Sequence, residues 1–161
     1  MVAKSDLAHS FASTLRRAYG WMELGCANEA LDELDELPDT LHCSREVLKL
    51  KCKILTSAKR WEELKTLAET AVKYFPQEPL FSEDWAWAEH KRGRTLEAYS
   101  ILLEYSKNQN TTWRTAYFLA CFSHSLRQTQ EAAQWLGHAF LLHSSPALLK
   151  QQAQREEVFR S

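Results

Sequence analysis

Apolar positions along the chain recur with the period of a helix. The pairs Leu34 and Leu37, Ala68 and Ala71, Leu102 and Tyr105, and Leu136 and Ala139 each stand three residues apart, the spacing that puts two side chains on one buried helical face. β-Branched residues never cluster in an alternating run, and four Gly and four Pro in 161 residues leave little punctuation for strands. The expected fold class is all-α.

The apolar pattern is itself repeated. The segments LGCANEAL, AKRWEELK, RGRTLEAY and LRQTQEAA begin at residues 24, 58, 92 and 126, each 34 residues after the last, and a fixed period of this length marks a stacked repeat. Glu29, Glu63, Glu97 and Glu131 are in register, followed by the small or apolar Ala30, Leu64, Ala98 and Ala132. A glutamate there faces the exposed N–H groups of a helix start, and the residue after it lets two helices approach closely. Upstream, Ala18, Cys52, Ala86 and Ala120 share a second small position. At the turn, Gly25 and Gly93 suit a helix C-cap with positive φ, whereas Lys59 and Arg127 place a cation at the negative end of the helix dipole. Each unit therefore reads as a tight antiparallel hairpin of helices A and B.

With its 34-residue period, small helix-A residue, turn glycine, Glu-Ala at the start of helix B and Pro76 closing the second copy, the chain resembles the tetratricopeptide repeat family. The resemblance covers residues 11–44, 45–78, 79–112 and 113–146, and Trp61 makes the second copy the best match. It implies one domain, a right-handed superhelical solenoid of antiparallel helix hairpins. The copies depart from the family pattern early in helix A, where Thr14, Leu48, Ser82 and Ala116 replace its tryptophan, and later, where Trp21, Leu55, Glu89 and Ser123 replace its tyrosine. Pro38 removes an N–H inside the first helix B, so that helix should end near Leu37 and leave 38–43 as a loop. Ser144, Ser145 and Pro146 provide a helix start, and a polar-rich helix over about 147–158 would cap the last hairpin.

In this family the A helices line a concave face where peptides lie, which makes that groove the default site. Residues at i, i+4 and i+7 share a face. The candidates are Leu15, Tyr19 and Met22; Lys49, Lys53 and Thr56; Glu83, Trp87 and His90; and Tyr117, Cys121 and His124, flanked by Lys91 and Arg114. Four A helices about 10 Å apart span on the order of 30 Å, room for an extended segment of roughly eight to ten residues. The mixture of aromatics, cations and one acid suits a peptide with apolar anchors and acidic groups. Trp87 and Tyr117 have a second reading, packing sideways into the next hairpin, and Trp85 and Trp135 are assigned to the core.

The family's clamp for chaperone tails is not reproduced. Lys49 and Lys53 fall at two of its slots, but Lys53 stands where asparagine belongs, Asp84 would repel a carboxylate, and Arg114 and Phe118 replace lysine and arginine. Cys121 and His124, at i and i+3, could be drawn as nucleophile and base or, with His90, as a metal corner; no orienting third group, phosphate loop or zinc signature accompanies them. We therefore expect no enzyme, no metal and no cofactor. The acidic run from Glu29 to Glu36 reads as a solvated outer helix face.

Charge narrows the partners further. Twenty basic residues against 21 acidic ones provide no field for nucleic acid. No continuous run of about 18 apolar residues suggests a membrane span, and MVAKSDLAHS lacks a signal-like stretch. Cys26, Cys43, Cys52 and Cys121 form no C-x-x-C pair, so reduced, mostly buried thiols and a cytoplasmic home are expected. The expected function is a protein-protein interaction module. Two alternatives stay open: a small chaperone similar to the type III secretion tetratricopeptide chaperones, or a self-assembling unit dimerising through its amino-terminal edge at Phe11 and Leu15.

Overall fold

The computed structural model describes residues 4–109, 111–145, 147, 150 and 151. Among them are nine helices and no strand: α1 (Lys4–Glu23), α2 (Ala27–Asp35), α3 (Asp39–His42), α4 (Arg45–Ser57), α5 (Trp61–Tyr74), α6 (Pro79–Lys91), α7 (Thr95–Asn108), α8 (Trp113–Ser125) and α9 (Thr129–Leu142). Four hairpins result, α1–α2, α4–α5, α6–α7 and α8–α9, and the first begins at Lys4, ahead of the register start at residue 11. The cap expected over 147–158 lies outside the described residues apart from positions 147, 150 and 151.

The four turns are the same device. Gly25, Lys59, Gly93 and Arg127 all occupy the left-handed region, with φ of 78°, 57°, 84° and 62°. In each, the turn N–H donates to the carbonyl three residues back and the next N–H donates five back. For Lys59 and Arg60 these bonds run to Thr56 and Leu55 at 3.1 and 2.9 Å, and for Gly93 and Arg94 to His90 and Glu89 at 3.0 and 2.9 Å. This is the Schellman closure of a helix end. Lys59 and Arg127 thus do more than sit near a dipole: they adopt a conformation that glycine adopts without steric cost.

The repeated small positions form the core. Ala18, Cys52, Ala86 and Ala120 are inaccessible, as are Ala30, Leu64 and Ala98. One apolar cluster joins each pair of consecutive hairpins: Ala18, Leu34, Val47 and Ile54 between the first and second, Cys52, Ala68, Phe81 and Ala88 between the second and third, and Ala86, Leu102, Phe118 and Phe122 between the third and fourth. Each hairpin buries its face only against its neighbours, the defining property of a solenoid.

Pro38 ends the first B helix as expected, but 38–43 is not simply a loop. Pro38, at φ −56°, leads into the one-turn α3, whose Leu41 N–H donates to the Pro38 carbonyl at 2.8 Å. A proline ahead of a helix costs no hydrogen bond, because the N–H it lacks would have no intrahelical acceptor. The acidic run is also partly used internally: Glu33 pairs with Arg17 of α1 at 2.8 Å and Asp35 with Lys51 of α4 at 2.6 Å.

Candidate functional site

The A helices α1, α4, α6 and α8 pack side by side in sequence, so their repeat positions form columns across one face. The column Tyr19, Lys53, Trp87 and Cys121 passes from exposed, through half-buried Trp87, to inaccessible Cys121. The column Leu15, Lys49, Glu83 and Tyr117 follows the same trend, ending in two residues each 3% exposed. Along these two columns the predicted groove is more open at α1 and α4 and closes toward α8, whereas the third column runs from buried Met22 to half-buried Thr56, His90 and His124.

Four candidates need correction. Met22, Glu83, Tyr117 and Cys121 are buried and do not line an open surface. Large side chains explain the closure: Phe118 and Phe122 of α8 fill the space beside α6, and Trp87 stacks on Phe118 with ring centroids 4.7 Å apart. Trp87 is accordingly half-buried, packed against the inter-hairpin core as its second reading required. Trp85 and Trp135 are half-buried against their clusters, in keeping with a core role. Cys121 is sealed in the α8 core, and no cluster of three metal-capable side chains occurs among the described residues. Phe11 and Leu15 pack against the chain's own first cluster. Cys52 and Cys121 are buried, whereas Cys26 is half-buried and Cys43 exposed, contrary to the expectation of mostly buried thiols.

In the open half lies a cleft of about 600 Å³ between α4, α6 and α8. Leu50 and Leu80 contribute apolar wall, Glu46, Lys49 and Lys53 line it from α4, and Asp84 and Arg114 close the far side. Lys49 is held by Glu78 at 2.8 Å. The Lys53 ammonium lies 4.6 Å from the centroid of the Tyr19 ring and 3.4 Å from its hydroxyl. Beyond the cleft, Lys91 lies 4.4 Å above the Trp87 ring. Sequence reasoning placed the lysines but missed Leu50 and Leu80; positions 46 and 80, and 50 and 84, are further columns of the same 34-residue register, which is the signal that could have found them.

The far wall is an ionic network absent from the sequence expectation. Arg114 donates to Glu83 at 3.1 Å and to Asp84 at 2.9 Å, while its guanidinium covers the Phe118 ring. Glu83 Oε1 also accepts the hydroxyls of Thr112 and Thr115, both at 2.7 Å. Thr112 in turn caps α8, accepting the Thr115 N–H at 3.0 Å. Two buried carboxylates share one guanidinium. Burial accordingly pushes the Asp84 carboxyl up to about 6, with Arg114 opposing and Glu83 reinforcing the rise. The Cys52 thiol is driven upward by burial and then by Asp84. On the same face His90, its Nδ1 3.0 Å from Thr95 Oγ1, is pushed down to about 4 by burial and then by Lys91. His90 is thus a neutral, packed ring between Trp87 and Phe122. His124 is half-buried near the end of α8.

No protein-family profile and no curated protein matches the sequence. Among solved structures the chain is similar to a tetratricopeptide repeat protein from Parabacteroides merdae ATCC 43184, with a TM-score of 0.72 and 11% identity over 89% of this chain. This chain spans 56% of that protein's length. At such identity the likeness bears on the fold, and it agrees with the repeat register: the chain folds as an all-α, tetratricopeptide-type helical-repeat solenoid. No described helix is long and apolar enough to cross a membrane.

Proposed function

We propose that the chain is a non-catalytic protein-interaction module that holds an extended segment of a partner on its A-helix face. The observation that carries this reading is the cleft of about 600 Å³ bounded by Leu50, Leu80, Lys53, Asp84 and Arg114. It combines apolar wall with a few fixed polar groups, the composition expected of a recognition pocket. Its walls are rigid for stated reasons: the inter-hairpin clusters fix the helices, and the Glu83–Asp84–Arg114 network ties α6 to α8. A preformed surface loses little order on binding, which favours capture of a flexible segment. The active range of the groove on this reading is Tyr19, Lys49, Lys53, Trp87, His90, Lys91, Arg114 and the Leu50–Leu80 pocket, with Glu83 supporting from behind.

The test blocks the cleft without altering charge. Ser57 is exposed on α4 and lines the cleft, so Ser57→Trp fills it while leaving the core intact. Ala133→Trp, at an exposed position of α9, is the control. Partners captured from lysate by the intact chain and by Ala133→Trp should be lost with Ser57→Trp. Retention of every partner by Ser57→Trp would remove the groove as the site.

A further inference from the structure

We infer that the chain carries a second interaction surface on its B-helix side, a groove between α2 and α5 that takes a basic amphipathic helix of a partner. The groove is a cleft of about 540 Å³ in which α4 supplies the floor with Leu55, and α2 and α5 supply the walls with Leu31 and Leu67. Leu55 is buried and the two wall leucines are half-buried, while Thr66 and Thr70 of α5 line it from exposed positions. It is separate from the A-helix cleft. Lys51 and Leu55 stand on the opposite side of α4 from Lys49 and Lys53, because two residues advance a side chain by roughly 200° around a helix.

Three ion pairs border this trough, and in each the carboxylate is the outer member. Asp35 of α2 is 61% exposed over Lys51 at 18%, and Glu62 of α5 is 74% exposed over Arg92 at 18%. Glu63 is likewise more exposed than its partner Arg60. Lys51 reaches one oxygen of Asp35 and Arg92 one oxygen of Glu62, whereas an ionised carboxylate offers about four acceptor sites. Asp32, which shares the face of Asn28 and Asp35 on α2, and Glu36 are exposed and pair with no cation among the described residues.

The charge count has the same sign. Asp32, Asp35, Glu36, Glu62 and Glu63 meet Lys51, Arg60 and Arg92, and Arg92 is also shared with the buried Glu89. Elsewhere around α2 and α5, Glu33 pairs with Arg17 and Glu69 with Lys65, and exposed Lys59 and Lys73 are equalled in number by exposed Glu29 and Asp39. The groove is therefore net negative, with its oxygens turned outward along both walls of an apolar trough. Charge complementarity selects a cationic occupant. A helix whose apolar stripe is bordered on both flanks by Lys or Arg meets floor and walls together; an extended segment turns one row of side chains toward the trough and the alternate row away from it.

The probe is a fluorescein-labelled, carboxyl-amidated peptide of about 16 residues, with leucines at i, i+4, i+7 and i+11, lysines on both flanks of that stripe and alanine elsewhere. Binding to the full chain is followed by anisotropy at low and high salt, and its position is mapped from backbone amide shifts. Saturable binding on α2 and α5 that weakens with salt is expected, with Asp35→Asn and Glu62→Gln each weakening it about three- to fivefold. Thr66→Trp, which fills the trough from an exposed position, should abolish it, and Ser57→Trp, on the other side of α4, should leave it unchanged; circular dichroism checks that both variants stay helical. Replacing the peptide's lysines by glutamine should cost more than either single variant. Equal binding of the glutamine peptide, or no saturable binding of the lysine peptide, would overturn the inference. Binding lost with Ser57→Trp but kept with Thr66→Trp would overturn it as well, while leaving the A-helix reading standing.

Discussion

Replacing Lys59 by glycine should stabilise the protein, although Lys59 makes no contact that glycine would improve. Lys59 holds φ at 57°, and an L-residue in that region carries about 1–2 kcal/mol of strain between Cβ and backbone. Glycine removes the strain but adds about 0.4–1 kcal/mol of unfolded-state entropy. It also removes a cation beside the end of α4, worth a few tenths of a kcal/mol at an exposed site. The net gain is about 0.5 kcal/mol for Lys59→Gly and, because Arg127 has the same geometry at φ 62° in a distant hairpin, about 1 kcal/mol for the double variant. In a chain of this length that raises the thermal midpoint by about 2–4 °C. Two controls isolate the cause. Ala58, one residue upstream and exposed, has φ −82°, so Ala58→Gly should lower the midpoint by about the glycine penalty of 0.5–1 kcal/mol. Gly93 has open space around an added Cβ, so Gly93→Ala should cost about 1 kcal/mol from φ alone. Differential scanning calorimetry, with far-ultraviolet circular dichroism as a second probe, reads all four. If Lys59→Gly lowers the midpoint as Ala58→Gly does, or Gly93→Ala leaves it unchanged, the conformational account of these turns is wrong.

Other outcomes follow from the packed interior. Arg114→Met strands Glu83 and Asp84 in the α6–α8 interface and should cost about 3 kcal/mol in urea unfolding; a change within experimental error would mean the network is not holding these helices. Asp84 and His90 give opposite pH slopes. Asp84, ordinarily near 3.8, is raised to about 6, so the folded chain retains a proton that the unfolded chain releases between these values, and its contribution is lost as pH rises through 6. His90, ordinarily near 6.5, is held down to about 4, so its contribution is lost as pH falls through that window. Thermal midpoints from about pH 7 to about pH 4 should show Asp84→Asn gaining on the parent as pH rises and His90→Asn gaining on it as pH falls; parallel curves would refute both assignments. Finally, Cys43 should react with a thiol reagent in the native state while Cys52 and Cys121 react only on unfolding. Native labelling of Cys52 would show that the second inter-hairpin cluster opens readily.

The sequence by itself determined the repeat. Ala18, Cys52, Ala86 and Ala120 are buried as their 34-residue register requires, because a helical hairpin can stack closely only where a small side chain meets its neighbour. The hairpin turns were equally legible at Gly25 and Gly93, but not in full at Lys59 and Arg127. There the closing hydrogen bonds impose a positive φ that side-chain chemistry alone does not announce. The groove was legible as columns and illegible as a surface. Which members of a column face solvent depends on the volume brought by neighbouring helices, and Phe118 and Phe122, at positions outside the predicted columns, close the α8 end over Tyr117 and Cys121. The sharing of one Arg114 by Glu83 and Asp84 also required the fold, since the partners lie 30 or more residues apart. Periodicity is local and survives in one dimension, whereas burial and charge pairing are set by what lies across the interface, and only the stacked hairpins decide that.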